Sequence, residues 1–297
     1  MTTTCSGTIA AVIVIYNPGD EIVSHLTNIL KGVDFVIAVN NGANSSICKR
    51  LTRAGIIVVG DGENIGLSRA LNLGLDAAWK LAPHAHHVLL LDQDSQPAKS
   101  MARRLQLAFE KARAAGLNPA CVAPRLIDVK ARSKNLRQRP GLAEIELAAT
   151  SGTLTSREVV QDVGGMMADL FIDCIDHEWC FRARHLGYKI YQDNDTVMLH
   201  DMGELAVNIP MIYKPMYKSP IRHYYIIRNT LLLFRKNYVP FKWKAINLIK
   251  TCYRIIAYVA ASTDRSASLH LITQALIDGS AGRSESRPVS ITKHAER

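Results

Sequence analysis

The sequence predicts an α/β protein: a mostly parallel sheet with helices on both faces, followed by a helical C-terminal extension. Three observations lead there. Short β-branched runs alternate with stretches of helical apolar spacing through the first two thirds of the chain. Most of the early strand-length runs stop at Asn, Asp, Gly or Pro. From Ser219 onward only helical patterns remain.

In order, Thr8–Tyr16 reads as a buried strand ended by Asn17-Pro18-Gly19-Asp20. A helix follows over Glu21–Lys31, with Ile22, Leu26, Ile29 and Leu30 on one face. Phe35–Val39 is the second strand, stopped by Asn40-Asn41-Gly42; Ser45–Ala54 is a helix and Ile56–Val59 a third strand. A turn from Asp61 to Gly66 precedes a helix over Leu67–Leu81, and Val88–Leu91 is the next strand. Met101–Ala115 is helical and Ala120–Pro124 a strand; Asp128–Gly141 is a basic loop. Ala148–Thr155 reads as a strand, Arg157–Val163 and Asp176–Leu186 as helices, Lys189–Gln192 and Val197–His200 as two short strands. Helices over Ile221–Asn237 and Phe241–Ala261 close the ordered part. The expected organisation is a core over residues 1–204, a basic amphipathic helical extension over 205–278, and a disordered Ser, Gly and charged tail over 279–297.

At 297 residues the chain is long enough for one large domain and an appendage. Its six cysteines are scattered with no Cys-x-x-Cys pair, which fits free thiols in a reducing compartment. The apolar run Ile9–Tyr16 lacks a basic region before it, and no stretch reaches the roughly 20 apolar residues of a membrane span, so a cytoplasmic protein is expected. The net charge of +10 is local: Leu205–Thr263 holds ten Lys or Arg and no acid, while the remaining 26 bases match the 26 acids.

The centre of the chain is Val88–Pro97, an apolar run that ends in Asp92-Gln93-Asp94. Along an extended chain, carboxylates two residues apart point the same way, and the carboxyl end of a strand is where open α/β sheets bind ligands. Such a pair suits Mg²⁺ or Mn²⁺, with nucleotide phosphates completing the shell. The alternative is a strand end followed by an Asx-type turn.

Five signatures in order resemble the large inverting glycosyltransferase family with the GT-A fold (family 2), and within it the bacterial rhamnosyltransferases. They are Val14-Ile15-Tyr16-Asn17-Pro18, Val39-Asn40-Asn41-Gly42, Asn64-x-Gly66-x-x-x-Ala70-x-Asn72-x-Gly74, Leu91-Asp92-Gln93-Asp94-Ser95, and the run Phe171-Ile172-Asp173-x-x-Asp176-x-Glu178-Trp179-Cys180-Phe181-Arg182. The likeness spans about Ile9 to Asn237. It implies a Rossmann-like nucleotide-sugar core, with Tyr16 and Asn17 against base or ribose. Asn40, where the family carries Asp, offers its amide to a pyrimidine edge; the alternative is a turn-forming residue. Asn64 and Gly66 let the backbone approach the ligand, and Arg69 faces the diphosphate or solvent. By the resemblance Asp92 touches ribose or donor sugar, Asp94 ligates the metal, and His200 supplies a further ligand.

Inversion needs in-line attack by a hydroxyl whose proton is taken by a carboxylate within hydrogen-bond reach. Asp173, Asp176 and Glu178 crowd the start of one helix, where acids also compensate the dipole. Asp176 matches the family's base, although Ile175 stands where the family has a second acid. Glu178 and Arg182 lie one turn apart, able to pair with each other beside the substrate. Arg228, in Tyr224-Tyr225-x-x-Arg228-Asn229, serves either the active site or the basic segment. That segment interleaves aromatic and cationic residues, which suits an anionic membrane surface and a lipid-linked acceptor. The resemblance thus implies a rhamnosyltransferase that uses dTDP-L-rhamnose to build surface polysaccharide, peripheral on the inner face of the cytoplasmic membrane. Alternatives are a UDP-sugar donor (galactofuranose or hexose), or a non-catalytic module for nucleic acid or anionic membrane. The nucleic-acid reading leaves the carboxylates unexplained, so no nucleic-acid partner is expected.

Overall fold

A computed structural model describes residues 7–81, 83–128, 139–200, 219–262 and 264–284. The chain divides into two compact units, residues 1–168 with 179–202, and residues 169–178 with 203–297.

The first unit is built on one eight-stranded sheet. Its strands are β1 (Thr8–Ile15), β2 (Phe35–Asn40), β3 (Ile57–Val59), β4 (Ala85–Asp92), β5 (Pro119–Asp128), β6 (Leu142–Ile145), β7 (Leu154–Ser156) and β8 (Lys189–His200). Their spatial order is β3-β2-β1-β4-β7-β5-β8-β6. β1 lies parallel to both β2 and β4, with Val14 opposite Val39 on one side and Asp92 on the other. This register brings Asn40 and Asp92 to the carboxyl edge beside the end of β1, the edge where such sheets take ligands. Seven of the eight β1 residues are buried, as expected for a parallel strand covered on both faces. The helices of this half are α1 (Ile22–Leu30), α2 (Ser45–Arg53), α3 (Leu67–Leu81), α4 (Met101–Ala114) and α5 (Arg157–Val163). α3 packs against β1 and β2 through Gly74, where a Cβ would come within 2.3 Å of Val12 Cγ1. Only glycine lets the helix approach that closely.

Three expectations change. β8 is one strand rather than two, because a bulge takes up Asn194–Thr196: Pro124 pairs with Asp193 and Arg125 with Val197. The Asp193 carboxylate accepts from Asp195 N and Thr196 Oγ1 and holds the bulge. β7 is only Leu154–Ser156, since Thr150–Thr153 turns and bonds to Leu90. The half-polar β6, antiparallel to β8, has too little alternation to be read from sequence.

The second unit contains α7 (Pro220–Phe234), α8 (Phe241–Ala261) and α9 (Arg265–Ala281), with a core of Tyr224, Tyr225, Ile227, Tyr258, Leu271, Ile272 and Ala275. Phe171 stacks on Tyr225 at 4.8 Å. The tail expected from residue 279 does not start there, because Gly279–Ala281 form the last turn of α9; its remainder, 285–297, lies outside the described residues. There Gly279 lies against Leu231, and Tyr224 donates to the buried Asp278 carboxylate at 2.9 Å. α6 (Ile175–His185) carries the boundary between the units after Glu178. Among the described residues no helix is long and apolar enough to cross a membrane.

Candidate active site

The end of β4 is a turn rather than a continued strand. Ser95 N donates to Asp92 O at 3.1 Å, Asp92 N donates to Ser95 Oγ at 3.0 Å, and the hydroxyls of Ser95 and Ser151 lie 2.5 Å apart. Asp94 therefore sits in the turn, and the alternation expected of an extended chain does not govern where it points. Gln93, which sequence reasoning left without a role, grips the end of β1: its Oε1 accepts from Tyr16 N at 2.9 Å and its Nε2 donates to Tyr16 O at 3.2 Å. The Asp-Gln-Asp-Ser signature thus makes one rigid corner: Ser95 closes it, Gln93 ties it to β1, and Asp92 and Asp94 are displayed. Asp92 is half-buried; Asp94 is exposed, and no described residue bonds its carboxylate.

Among the described residues no three His, Cys, Asp or Glu side chains cluster to hold a metal ion. His200 ends β8, and its side chain lies outside the described residues. The donor chemistry still fits a hard divalent cation: two carboxylates on a braced turn suit an ion that completes its shell with water and diphosphate oxygens.

The neighbouring loops are bound by asparagines. Asn40 Oδ1 accepts from Ala43 N at 2.8 Å and from Gly42 N at 3.3 Å. Its two lone pairs are thereby taken, which corrects the expectation that this oxygen meets a pyrimidine N–H; no described residue accepts from its Nδ2. Asn41 Oδ1 accepts from Ile65 N and Asn41 Nδ2 donates to Asn64 Oδ1, which also accepts from Gly66 N. Asn64 and Gly66 so enter α3 from a fixed loop. Tyr16 lies over Gly42, where a Cβ would meet its ring at 2.7 Å, and is 48 % exposed. Asn17 takes a left-handed φ of 42° beside it, and Arg69 is exposed on α3.

A second braced segment, Gly164–Met166, explains Asn72 and Arg182. Asn72 accepts from Met166 N at 2.7 Å and donates to Met166 O at 2.8 Å; Trp179 Nε1 donates to Gly164 O at 3.0 Å. Arg182 donates to Val163 O and to Gly165 O. Its guanidinium holds backbone carbonyls, a structural task instead of the expected place beside the substrate.

The base motif lies in the second unit. Phe171, Asp173 and Cys174 all have left-handed φ, at 60°, 66° and 64°, a conformation that non-glycine residues hold only under constraint. The constraint comes from α7. Asn229 Nδ2 donates to Leu170 O, Ile172 O and Asp173 O at 2.8, 2.7 and 2.9 Å. Arg228 Nη2 donates to Asp169 O at 2.8 Å, and its Nε and Nη2 both donate to Asn229 Oδ1. Arg228 is 1 % exposed, too buried to reach a ligand, so the expected substrate contact is corrected to a clamp. Asp173 forms a two-pronged pair with Arg222, and Glu178, also 1 % exposed, accepts from Tyr238 Oη at 2.6 Å. Neither acid is displayed as a base, and Glu178 is not displayed for a substrate.

Asp176 differs from both. Its side chain is 35 % exposed, and only Oδ1 is engaged, accepting from His177 N at 2.9 Å and lying 3.0 Å from His177 Nδ1. No described group bonds Oδ2. Burial pushes its pKa up, but the hydrogen bonds and charge of His177 and the backbone N–H groups outweigh that, leaving it below the ordinary carboxylate value. The carboxylate is ionised at neutral pH with one oxygen anchored and one available. His177 was missed because nothing in its spacing distinguishes it from a surface helix residue.

No family model matches the chain. It is 29 % identical over 293 residues to the dTDP-rhamnosyl transferase RfbF of Shigella flexneri, covering 92 % of this chain and 96 % of that protein. Among solved structures it resembles Staphylococcus aureus TarS 1–349 in complex with UDP-GlcNAc, with a TM-score of 0.57 at 15 % identity, over 92 % of this chain and 80 % of that one. It also resembles GalNAc-T7 with UDP, GalNAc and Mn²⁺, with a TM-score of 0.56 at 14 % identity over 91 % of this chain. The chain is a glycosyltransferase with the GT-A fold. It spans about half of GalNAc-T7, 54 % of that chain. In this glycosyltransferase many residues of the sequence signatures, among them Gln93, Ser95, Asn72, Arg182, Arg228 and Asn229, brace the loops that carry the acids.

Proposed function

We propose that this glycosyltransferase moves L-rhamnose from dTDP-L-rhamnose, with inversion, to a lipid-linked acceptor of surface polysaccharide, at the inner face of the cytoplasmic membrane. The state of Asp176 carries the mechanism: an ionised carboxylate with Oδ1 held by His177 and, among the described residues, no side-chain partner on Oδ2. Similarity to RfbF over nearly the whole of both chains supports the donor.

In this reading Tyr16 and Asn17 take the nucleoside, Asn40 Nδ2 donates to a pyrimidine carbonyl, and Asn64, Gly66 and Arg69 attend the diphosphate. Asp92 and Asp94 would hold Mg²⁺ or Mn²⁺, which neutralises the charge that builds on the departing diphosphate. The acceptor hydroxyl passes its proton to Asp176 Oδ2 as its oxygen bonds to the anomeric carbon. The bond from that carbon to the phosphate oxygen breaks on the opposite face, and dTDP leaves with the electron pair.

The test is Asp176→Asn, which keeps the hydrogen bond to His177 N–H but cannot take a proton. Transfer should fall by about 10²–10⁴. Thermal stabilisation by dTDP-rhamnose should persist, as expected for a ligand of the native state. Normal turnover in this variant would remove Asp176 as the base. Stabilisation by UDP-sugars and not by dTDP-rhamnose would replace the donor.

A further inference from the structure

α8 carries apolar residues on two faces. One face packs Tyr258, Ile255 and Val259 onto the core of the second unit, with Asn247 and Thr251 also buried, and most of the outward positions are apolar too. Phe241 is 83 % exposed, Leu248 54 %, Ile249 72 % and Ile256 70 %, with Cys252 also exposed. At 3.6 residues per turn, Phe241, Ala245, Leu248, Ile249, Cys252 and Ile256 fall on one stripe along the helix. Solvent-facing residues of a surface helix are ordinarily polar, and an apolar row of this length marks an interaction surface. Lys242 and Lys244 flank its start on opposite sides, within a segment from Leu205 to Thr263 that has ten basic residues and no acid.

We infer that this stripe of α8 inserts its side chains into the headgroup and acyl boundary of an anionic membrane, with the helix lying in the plane of the surface. Charge selects this occupant. A second copy of the chain docking through the same stripe would bring two acid-free basic segments together, and like charges in contact oppose association. An anionic lipid surface complements them, while Phe241, Ile249 and Ile256 supply the apolar contact that charge alone lacks. The helix does not cross the bilayer; it is not apolar enough around its circumference. The inference rests on the proposed lipid-linked acceptor for its purpose, but not for its measurement.

The experiment is flotation of the full chain with phosphatidylcholine vesicles, with and without phosphatidylglycerol, in parallel with transfer assays. The wild-type chain should float with phosphatidylglycerol vesicles and be released as salt is added. Ile249→Asp and Ile256→Asp should each weaken partitioning by about tenfold or more, since each removes a buried aliphatic contact and adds a repelled charge. Both sites are exposed, so an unchanged melting curve and circular dichroism spectrum are expected to exclude misfolding. Equal binding to neutral vesicles, or variants that float as the wild type does, would overturn the inference. So would a solution dimer dissociated by Ile249→Asp with no vesicle binding. Vesicle binding without transfer would sink the proposed rhamnosyl transfer and spare the membrane surface; transfer without vesicle binding would do the reverse.

Discussion

Replacing Asn229 by Ala should damage both the fold of the second unit and catalysis. Asn229 is fully buried and donates to three carbonyls of the left-handed segment. Leu170 O would still accept from Arg228 Nη2 at 3.3 Å and from Ile172 N at 2.6 Å. The bonds to Ile172 O and Asp173 O would be lost, and an unsatisfied buried acceptor costs about 1–3 kcal/mol, so about 2–6 kcal/mol is at stake. The strained φ values at Phe171, Asp173 and Cys174 would then relax rather than persist. A melting point lower by about 4–24 °C follows if each kcal/mol shifts it by about 2–4 °C. Because the segment leads directly into Asp176, kcat should also fall by about 10²-fold, the effect of an ångström of misplacement, with donor KM little changed. Asn229→Asp is the informative control. It restores an oxygen for Arg228 but no donor for the carbonyls, so it should not rescue. Rescue by Asp, or a melting point for Asn229→Ala within about one degree of wild type, would refute the clamp, because lost carbonyl bonds of about 1–3 kcal/mol each cannot pass unnoticed.

Two further perturbations read titrating groups. His177→Ala removes the ring that lowers the pKa of Asp176, so the acid limb of the kcat/KM profile should move to higher pH; an unmoved limb would show that His177 does not tune the base. His87 is buried beneath α4 with its pKa pushed down to about 4 by burial and by nearby His86 and Arg113. The unfolded state then binds the extra proton between about pH 6.5 and 4, so stability is full above that window and is lost as pH falls through it. The loss is about 3 kcal/mol, from 1.36 kcal/mol per unit between 6.5 and about 4. Denaturant melts of His87→Phe should show a shallower pH dependence over that window, and an equally steep one would implicate other groups.

The parallel half of the sheet was legible because its strands and helices are long, periodic and bounded by turn residues. Expected and observed limits of α3 agree, and those of β1 and β2 differ by one residue. The other half was less so. A bulge keeps β8 continuous through Asn194–Thr196 by side-chain bonds from Asp193, which no hydrophobic period records. The acids proposed for the site stand out in the sequence, yet their division of labour does not, because it depends on long-range partners. Asp173 and Glu178 resemble Asp176 in sequence; Arg222 and Tyr238, 49 and 60 residues further on, separate them.

That separation has a physical logic. Three carboxylates at the start of one helix would repel one another and raise the pKa of whichever served as base. Arg222 neutralises Asp173, and the Tyr238 hydroxyl bonds Glu178 in its buried place. Asp176 is left half-exposed, with a histidine beside it that favours the ionised form. The missing acid at Ile175 fits the same pattern, since a fourth carboxylate would need a fourth partner; instead the position is 3 % exposed and apolar. With Asp176 as the proposed base, the arrangement favours one that is ionised near neutral pH over one with a high proton affinity. Such a base works best when proton transfer trails bond formation to the anomeric carbon, so that the hydroxyl has become acidic by the time the proton moves.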